Sequence, residues 1–204
     1  MASKYNFPET ITTDRFMLEK VSEEFHSEEA YQVIDKNREY IGEFLEWCTP
    51  EYNLEDIIGF YKTQSESFDE EESFDFVIID NESDAIIGSV GIVVKSKDIG
   101  WIGYWLDSEQ QGRGVMTECL NELINVAFNE SSFIRLNLHT LAENVKSQKV
   151  AKRAGFVFDS VIYSHRVNAK GELEDVYQYV LIKDEEKMKI LKSKSEEIEK
   201  VYLK

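Results

Sequence analysis

Proline and cysteine are almost missing from this chain: 2 of each in 204 residues. Glycine is also sparse, at 10. Collagen-like and linker-rich architectures are thereby excluded. Cys48 and Cys119 make neither a disulfide framework nor a metal-ligand spacing. A reducing compartment follows as the expectation. No stretch approaches the ~20 apolar residues of a spanning helix. The start, Met1-Ala2-Ser3-Lys4-Tyr5-Asn6, has no apolar signal core. The expectation is a soluble cytoplasmic protein with no membrane partner. Positive charge is scarce as well: 23 Lys and Arg face 40 Asp and Glu, a net −17. That balance argues against a nucleic-acid partner and is compatible with a cationic one. Hydrophobic residues at 42% and aromatics at 12% are enough for a sizeable core.

What is present divides into three textures. Ile11–Leu18 reads as a strand. Ser22 and Ser27 are candidate caps for helical stretches carrying Tyr31, Ile34, Ile41, Phe44 and Leu45. Leu54–Tyr61 is a further helix, and Asp69-Glu70-Glu71-Glu72 a solvated loop rather than a metal site. Strands are then expected at Phe74–Ile79, Ala85–Lys95 and Ile99–Leu106, as an antiparallel meander. Gly88 and Gly91 mark bulges or a close backbone approach. A helix through Met116, Cys119, Leu120 and Leu123 follows. Next comes a strand Phe133–Leu141, with Ile134, Leu136 and Leu138 on one face. The helix Asn144–Ala154, with Val150, Ala151 and Ala154 inward, is closed by Gly155. Strands Val157–Arg166 and Leu173–Ile182 are joined near Asn168–Gly171. The Lys- and Glu-rich tail carries a stripe of Met188, Leu191, Ile198 and Tyr202, which either docks or frays. This order is an α+β, mixed-sheet signature.

The chemistry concentrates in two runs. Gln111-Gly112-Arg113-Gly114-Val115-Met116 lies where a strand gives way to a helix. Two glycines allow a sharp turn and close ligand approach. A helix start offers unpaired N–H groups and the positive dipole end, which together attract an anion. Arg113 adds a charge that can reach a phosphate. The third glycine of the dinucleotide fingerprint is absent, since Thr117 stands there, and so is the P-loop Gly-Lys-Ser/Thr. In the second run, Asn144 is a good N-cap and Ser147 lies three residues on, on nearly the same helix face.

Together these runs resemble the GNAT acetyltransferase superfamily. Gln111–Met116 resembles its pyrophosphate motif, although Met116 departs from the small last residue. Gln-Gly-Arg-Gly-Val-Met-Thr, Ile102–Leu106, Asn144-x-x-Ser147 ending in Ala154-Gly155-Phe156, and Asn37–Ile41 with Trp47 resemble the ribosomal-protein N-acetyltransferase (RimL-like) branch. The resemblance implies a mostly antiparallel mixed sheet flanked by helices, with a V-shaped split between two central strands. It implies a GNAT domain over 1–185, followed by a charged helical extension over 186–204. It also implies acetyl-CoA as cosubstrate and no metal. The cofactor residues would be Trp105, Leu106, Gln111, Gly112, Arg113, Gly114, Val115, Met116 and Asn144. Ser147 would serve the leaving thiolate, with Asn144 holding pantetheine or the helix start.

The expected reaction is direct attack of a primary amine on the thioester. The acceptor would be a ribosomal protein N-terminal α-amino group or a small amine such as a polyamine. A noncatalytic CoA-binding module is the alternative from another class. The family's acid after the Gly-Phe turn finds no match in Tyr163-Ser164-His165-Arg166. The general base therefore stays open among His139, His165 and a water relay. Tyr40, Glu43 and Trp47 are candidates for the acceptor pocket; Cys48 and Cys119 are poor nucleophile candidates. The oligomeric state is also open, a homodimer being one option.

Overall fold

The computed structural model describes residues 5–168 and 172–202. They form an α+β fold with eight strands, mostly antiparallel, and six α-helices among the described residues. The chain divides into two compact units, Met1–Val94 with Gly103–Ser132, and Lys95–Ile102 with Phe133–Lys204. Among the described residues no helix is long and apolar enough to cross a membrane.

The first unit opens with a hairpin where a single strand was expected. β1 (Thr10–Thr12) and β2 (Phe16–Lys20) pair antiparallel, with Thr12 opposite Met17. Thr13 makes the turn: its Oγ1 accepts the Phe16 N–H at 2.9 Å, and its own N–H donates to Phe16 O at 2.8 Å. A hydroxyl turn of this kind substitutes for the glycine a hairpin usually uses. β2 pairs with β3 (Ser73–Asp80), and β3 with β4 (Ala85–Ser96), both antiparallel. In β3, Phe76, Val77 and Ile78 are each fully buried, so both faces are covered. That is why the strand reads as a continuous apolar run rather than an alternation.

The two glycines of β4 do mark close approaches. A Cβ on Gly88 would lie 2.6 Å from the Trp105 carbonyl oxygen, and one on Gly91 would collide with the Asp75 carboxylate. The register also shifts at Ile78/Ile79.

Helices α1 (Ser27–Lys36), α2 (Arg38–Phe44) and α3 (Leu54–Asp69) follow the hairpin. Ser27 does not cap α1. It is the first helical residue and buried, and the N-cap His26 makes no side-chain cap bond. Ser22 does accept the Phe25 N–H, at 3.4 Å. α3 is longer than its expected core and starts at a capping box formed by Asn53 and Asp56. Ile34, Ile57 and Tyr61 of these helices pack with Val77, Ile79 and Ile86. Ile57→Ala would leave a hole there, because Ile57 is 1% exposed. We expect chemical denaturation to show a loss of ~2–5 kcal/mol.

β5 (Ile99–Leu106) leads through a short turn to α4 (Val115–Asn125), which continues as a π-turn over Val126–Glu130. Cys119, Leu120 and Leu123 are fully buried, as the helical stripe predicts.

In the second unit, Ile99–Ile102 of β5 pairs parallel with Arg135–Leu138 of β6 (Arg135–Leu141). The ladder ends at Ile102–Leu138, although both strands continue. β6 runs antiparallel to β8 (Leu173–Ile182), and β8 to β7 (Val157–Val167). Ile134 does not share the buried face of Leu136 and Leu138. It precedes the strand and is 54% exposed. The expected β7–β8 link lies, from Ala169 to Gly171, outside the described residues.

α5 (Val145–Arg153) ends as read from the sequence, with Gly155 at φ 88. Its inner face is less apolar than expected. Gln148 is buried with Ala151, and its Nε2 donates to Ala142 O at 2.7 Å. The tail is a continuous helix, α6 (Glu185–Tyr202). Met188 docks against Val157 and Val180, with Leu191 beside it.

Candidate functional site

β5 ends at Leu106, and the next residue, Asp107, is buried. Its carboxylate accepts from Glu109 N at 3.1 Å, which starts a 3-10 turn over Ser108–Gln110. It also accepts from Asn37 Nδ2 at 3.0 Å and Lys36 Nζ at 3.3 Å. The Asn37 Oδ1 takes the Ser108 N–H at 3.0 Å. A buried carboxylate is tolerated when its lone pairs are filled in this way. Asn37 thus ties the α1–α2 junction to the entrance of the glycine loop.

The loop then turns through Gly112 at φ 76 and Gly114 at φ 80. Both values are left-handed, where a Cβ is strained. A Cβ on Gly112 would meet nothing within 4 Å, and one on Gly114 only the Arg15 guanidinium at 3.6 Å. The space beside the loop is open. Gly114 is the N-cap of α4 and supplies no side-chain cap. Gly114 therefore brings no anion of its own to the positive end of the α4 dipole.

Arg15, at the β1–β2 turn, braces the loop. Its Nη1 donates to the Arg113 carbonyl at 3.1 Å, and its Nε donates to Glu118 Oε2 at 2.8 Å. Glu118, in the first turn of α4, also accepts from Thr13 Oγ1 at 2.8 Å and Arg15 N at 3.1 Å. Burial pushes the Glu118 carboxyl up, but the bonds from Thr13 and Arg15 outweigh it and hold the group below its ordinary range. The Arg113 side chain turns elsewhere. It donates to Gln110 Oε1 and lies 3.8 Å from Asp80. Thr13, Arg15, Asp107 and Glu118 were not singled out by sequence reading, because their partners are remote in the chain; Asn37 was read only as the start of the Asn37–Ile41 motif. With Arg15→Ala the loop loses its brace. We expect chemical denaturation to show a loss of ~0.5–1 kcal/mol, from the missing bonds to Glu118 and the Arg113 carbonyl.

Tyr40 of α2 hydrogen-bonds the Gln111 side chain; burial raises its hydroxyl pKa, and that bond partly opposes the shift. Trp105 packs against the helix cluster of Ile34 and Ile57. Trp47 is 41% exposed and tilts over Tyr52, with ring centroids 5.1 Å apart. The thiols suit packing rather than attack. Burial raises Cys48, and it pushes Cys119 up to about 12.

In the second unit, Asn144 caps α5 by accepting the Ser147 N–H at 3.0 Å. Ser147 is half-buried. Beyond them, β6, β7 and β8 carry a polar chain. Arg135 lies 3.6 Å from Asp159 Oδ2, which accepts from Gln178 Nε2 at 2.6 Å. Gln178 Oε1 is 2.9 Å from His139 Nε2. His139 sets its edge against Trp101 at 4.2 Å and faces His165 at 6.1 Å. Burial lowers the His139 pKa, the Gln178 bond opposes this, and His165 lowers it further. Acids near His165 come from the paired strand: Asp175 Oδ1 accepts from Ser164 N at 2.8 Å, and Glu174 pairs with Arg166 at 2.7 Å.

Residues 15–157 match the family model described as acetyltransferase (GNAT) domain. A probable N-acetyltransferase, YjcK of Bacillus subtilis (strain 168), is 26% identical over 153 residues, covering 73% of this chain and 84% of that protein. The ribosomal-protein-serine acetyltransferase of Escherichia coli (strain K12) is 24% identical over 141 residues, covering 68% and 78%. Among solved structures, RimL, a ribosomal L7/L12 α-N-protein acetyltransferase in complex with coenzyme A, aligns with a TM-score of 0.80 at 21% identity. It covers 85% of this chain and 98% of that one. The microcin C7 self-immunity acetyltransferase MccE, in complex with acetyl-CoA and AMP, aligns with a TM-score of 0.79 at 23% identity, covering 86% and 97%.

Proposed function

Because the chain belongs to the GNAT acetyltransferase family, an acetyl-CoA-dependent group of N-acetyltransferases, we propose that it acetylates a free N-terminal α-amino group, with a ribosomal protein as the acceptor. The observation that carries the cofactor half of this reading is the Gly112–Gly114 turn. Two left-handed glycines open a space at the uncapped start of α4. That arrangement suits a pyrophosphate, whose oxygens would accept from the amides of Gln111–Met116. Trp105 and Leu106, at the end of β5, would offer backbone groups to the pantetheine arm. An N–H there would stabilise the oxyanion that forms when the thioester carbonyl is attacked. The fit is one of shape and polarity: open volume, a helix dipole and glycines where a side chain would intrude.

The reaction is attack by a neutral amine on the thioester carbon. The new C–N bond forms as the C–S bond breaks, and the thiolate is protonated. Ser147 would give that proton, and Asn144 would keep Ser147 in place through the helix cap. The acceptor half rests on relatives that acetylate ribosomal proteins. A small polyamine is the second reading, favoured by the net charge of −17, which draws cations toward the protein. Turnover assays with acetyl-CoA against peptides bearing free N-terminal serine or alanine, spermidine and an aminoglycoside decide between them. Peptide acetylation is the expected result. Acetylation of spermidine alone would replace it with the polyamine reading, and coenzyme binding without any turnover would point to a noncatalytic module.

A further inference from the structure

The polar chain across β6, β7 and β8 has a fixed hydrogen-bond direction. A carboxylate only accepts, so the amide NH2 of Gln178 must face Asp159. The carbonyl end of Gln178 then faces His139 Nε2, and a carbonyl also only accepts. His139 Nε2 must therefore carry the hydrogen, which leaves the lone pair on Nδ1. Among the described residues, Nδ1 has no hydrogen-bond partner. Arg135 lies 3.6 Å from the same Asp159 oxygen. An imidazole held in one tautomer by a bonded partner, with its other nitrogen bare, is the arrangement of a general base.

Its position in the strand register is the second observation. β6 pairs with β5 up to Leu138, opposite Ile102, and His139 is the next residue. It is the first β6 residue past the point where the two parallel strands stop pairing. Trp101, opposite Asn137 on the neighbouring strand, shares the face of His139 and covers one side of its ring.

We propose that His139 Nδ1 is the general base that deprotonates the attacking ammonium, with Gln178 and Asp159 as positioning residues that fix its tautomer. This deepens the acetyltransferase reading and rests on it. The incoming nitrogen sheds two protons during the reaction. One passes to His139 Nδ1 and then to solvent, freeing the lone pair that forms the C–N bond. The other leaves as the tetrahedral intermediate collapses, and the departing sulfur ends as a thiol. No oxidant or metal enters the balance. The base must be neutral to act. The ionisable group facing His139 is His165 on β7; Asp159 on β7 and Arg135 on its own strand stand behind Gln178, and the other contacts, Trp101 and Gln178, are uncharged. Burial and His165 both favour the neutral ring. The rate should thus hold through neutral pH and fall on acidification below the ordinary histidine range.

The test combines kinetics and spectroscopy on the full chain, with acetyl-CoA and whichever amine of the panel turns over. His139→Gln should lower kcat/KM about 100-fold, leave the acetyl-CoA Kd unchanged and remove the acid limb of the pH profile. Asp159→Asn should lower kcat about tenfold, with KM held, and shift that limb, which a purely structural role would not do. If the variants fold poorly, 15N-histidine spectra of the unchanged protein decide the matter, because they must show His139 as the Nε2–H tautomer near pH 7. Unaltered rate and pH profile in His139→Gln, or an Nδ1–H tautomer, would overturn the assignment while leaving the acetyltransferase reading intact. A lack of acetyl-CoA-dependent turnover in the unchanged protein would overturn both.

Discussion

Gly114→Glu should abolish acetyl-CoA binding, with affinity in a calorimetric titration at least ~10³-fold weaker, or about 4 kcal/mol. Two effects add. Gly114 sits at φ 80, and a residue with a Cβ there costs ~1–2 kcal/mol of backbone strain. The glutamate side chain would leave the backbone beside the Arg15 guanidinium, at the start of α4, close to where the pyrophosphate would rest. Its charge would repel the phosphates and also occupy the positive end of the helix dipole, competing for it. Gly114→Ala separates these effects. It carries the strain without the charge or the bulk, so it should weaken binding far less and lower the melting temperature by a similar amount. Equal affinity in Gly114→Glu and the unchanged protein would move the pyrophosphate off this loop.

The glycine loop was legible because everything it needs is local. Two glycines, a strand before them and a helical stripe after them lie within a few residues. What braces the loop was not legible. Arg15 reaches Glu118 across 103 positions, and Asn37 reaches Asp107 across 70. Pairs that distant leave no periodic trace in the sequence. The hairpin at Thr13 was missed for a related reason. Thr12-Thr13-Asp14-Arg15 contains no glycine, and the turn rests on a hydroxyl that β-branched content disguises as strand. Ser27 looked like a cap because it precedes two acids, yet the chain is already helical there and buries it. The α6 stripe was visible, but its docking surface, Val157 and Val180, lies on two other elements. The acid missing around Tyr163–Arg166 follows the same rule. Strand pairing brings Glu174 and Asp175 beside those residues from β8, and Asp159 reaches His139 through Gln178. Motifs written along one segment survive in sequence; constellations assembled by sheet register do not.

Ser147→Ala should lower kcat on the order of 100-fold while the acetyl-CoA Kd stays constant. The substitution leaves the helix cap in place. The bond that matters for α5 is the Ser147 N–H donating to Asn144 Oδ1, and alanine keeps that N–H. Alanine is also the better helix former, so stability should not fall. What disappears is the half-buried hydroxyl, one turn into a helix whose N-terminal dipole already favours a thiolate. The dipole stabilises the departing charge without protonating it, so removing the hydroxyl should slow collapse of the tetrahedral intermediate rather than binding. Asn144→Ala gives the contrasting pattern. It removes the cap, costs ~1 kcal/mol of stability, and slows turnover by loosening the position of Ser147. Ser147→Thr, which restores a hydroxyl, should recover much of the rate. Rapid-quench measurements that show chemistry to be rate-limiting, with kcat the same in Ser147→Ala as in the unchanged protein, would take Ser147 out of the reaction. The thiolate would then leave unprotonated, stabilised by the helix dipole alone.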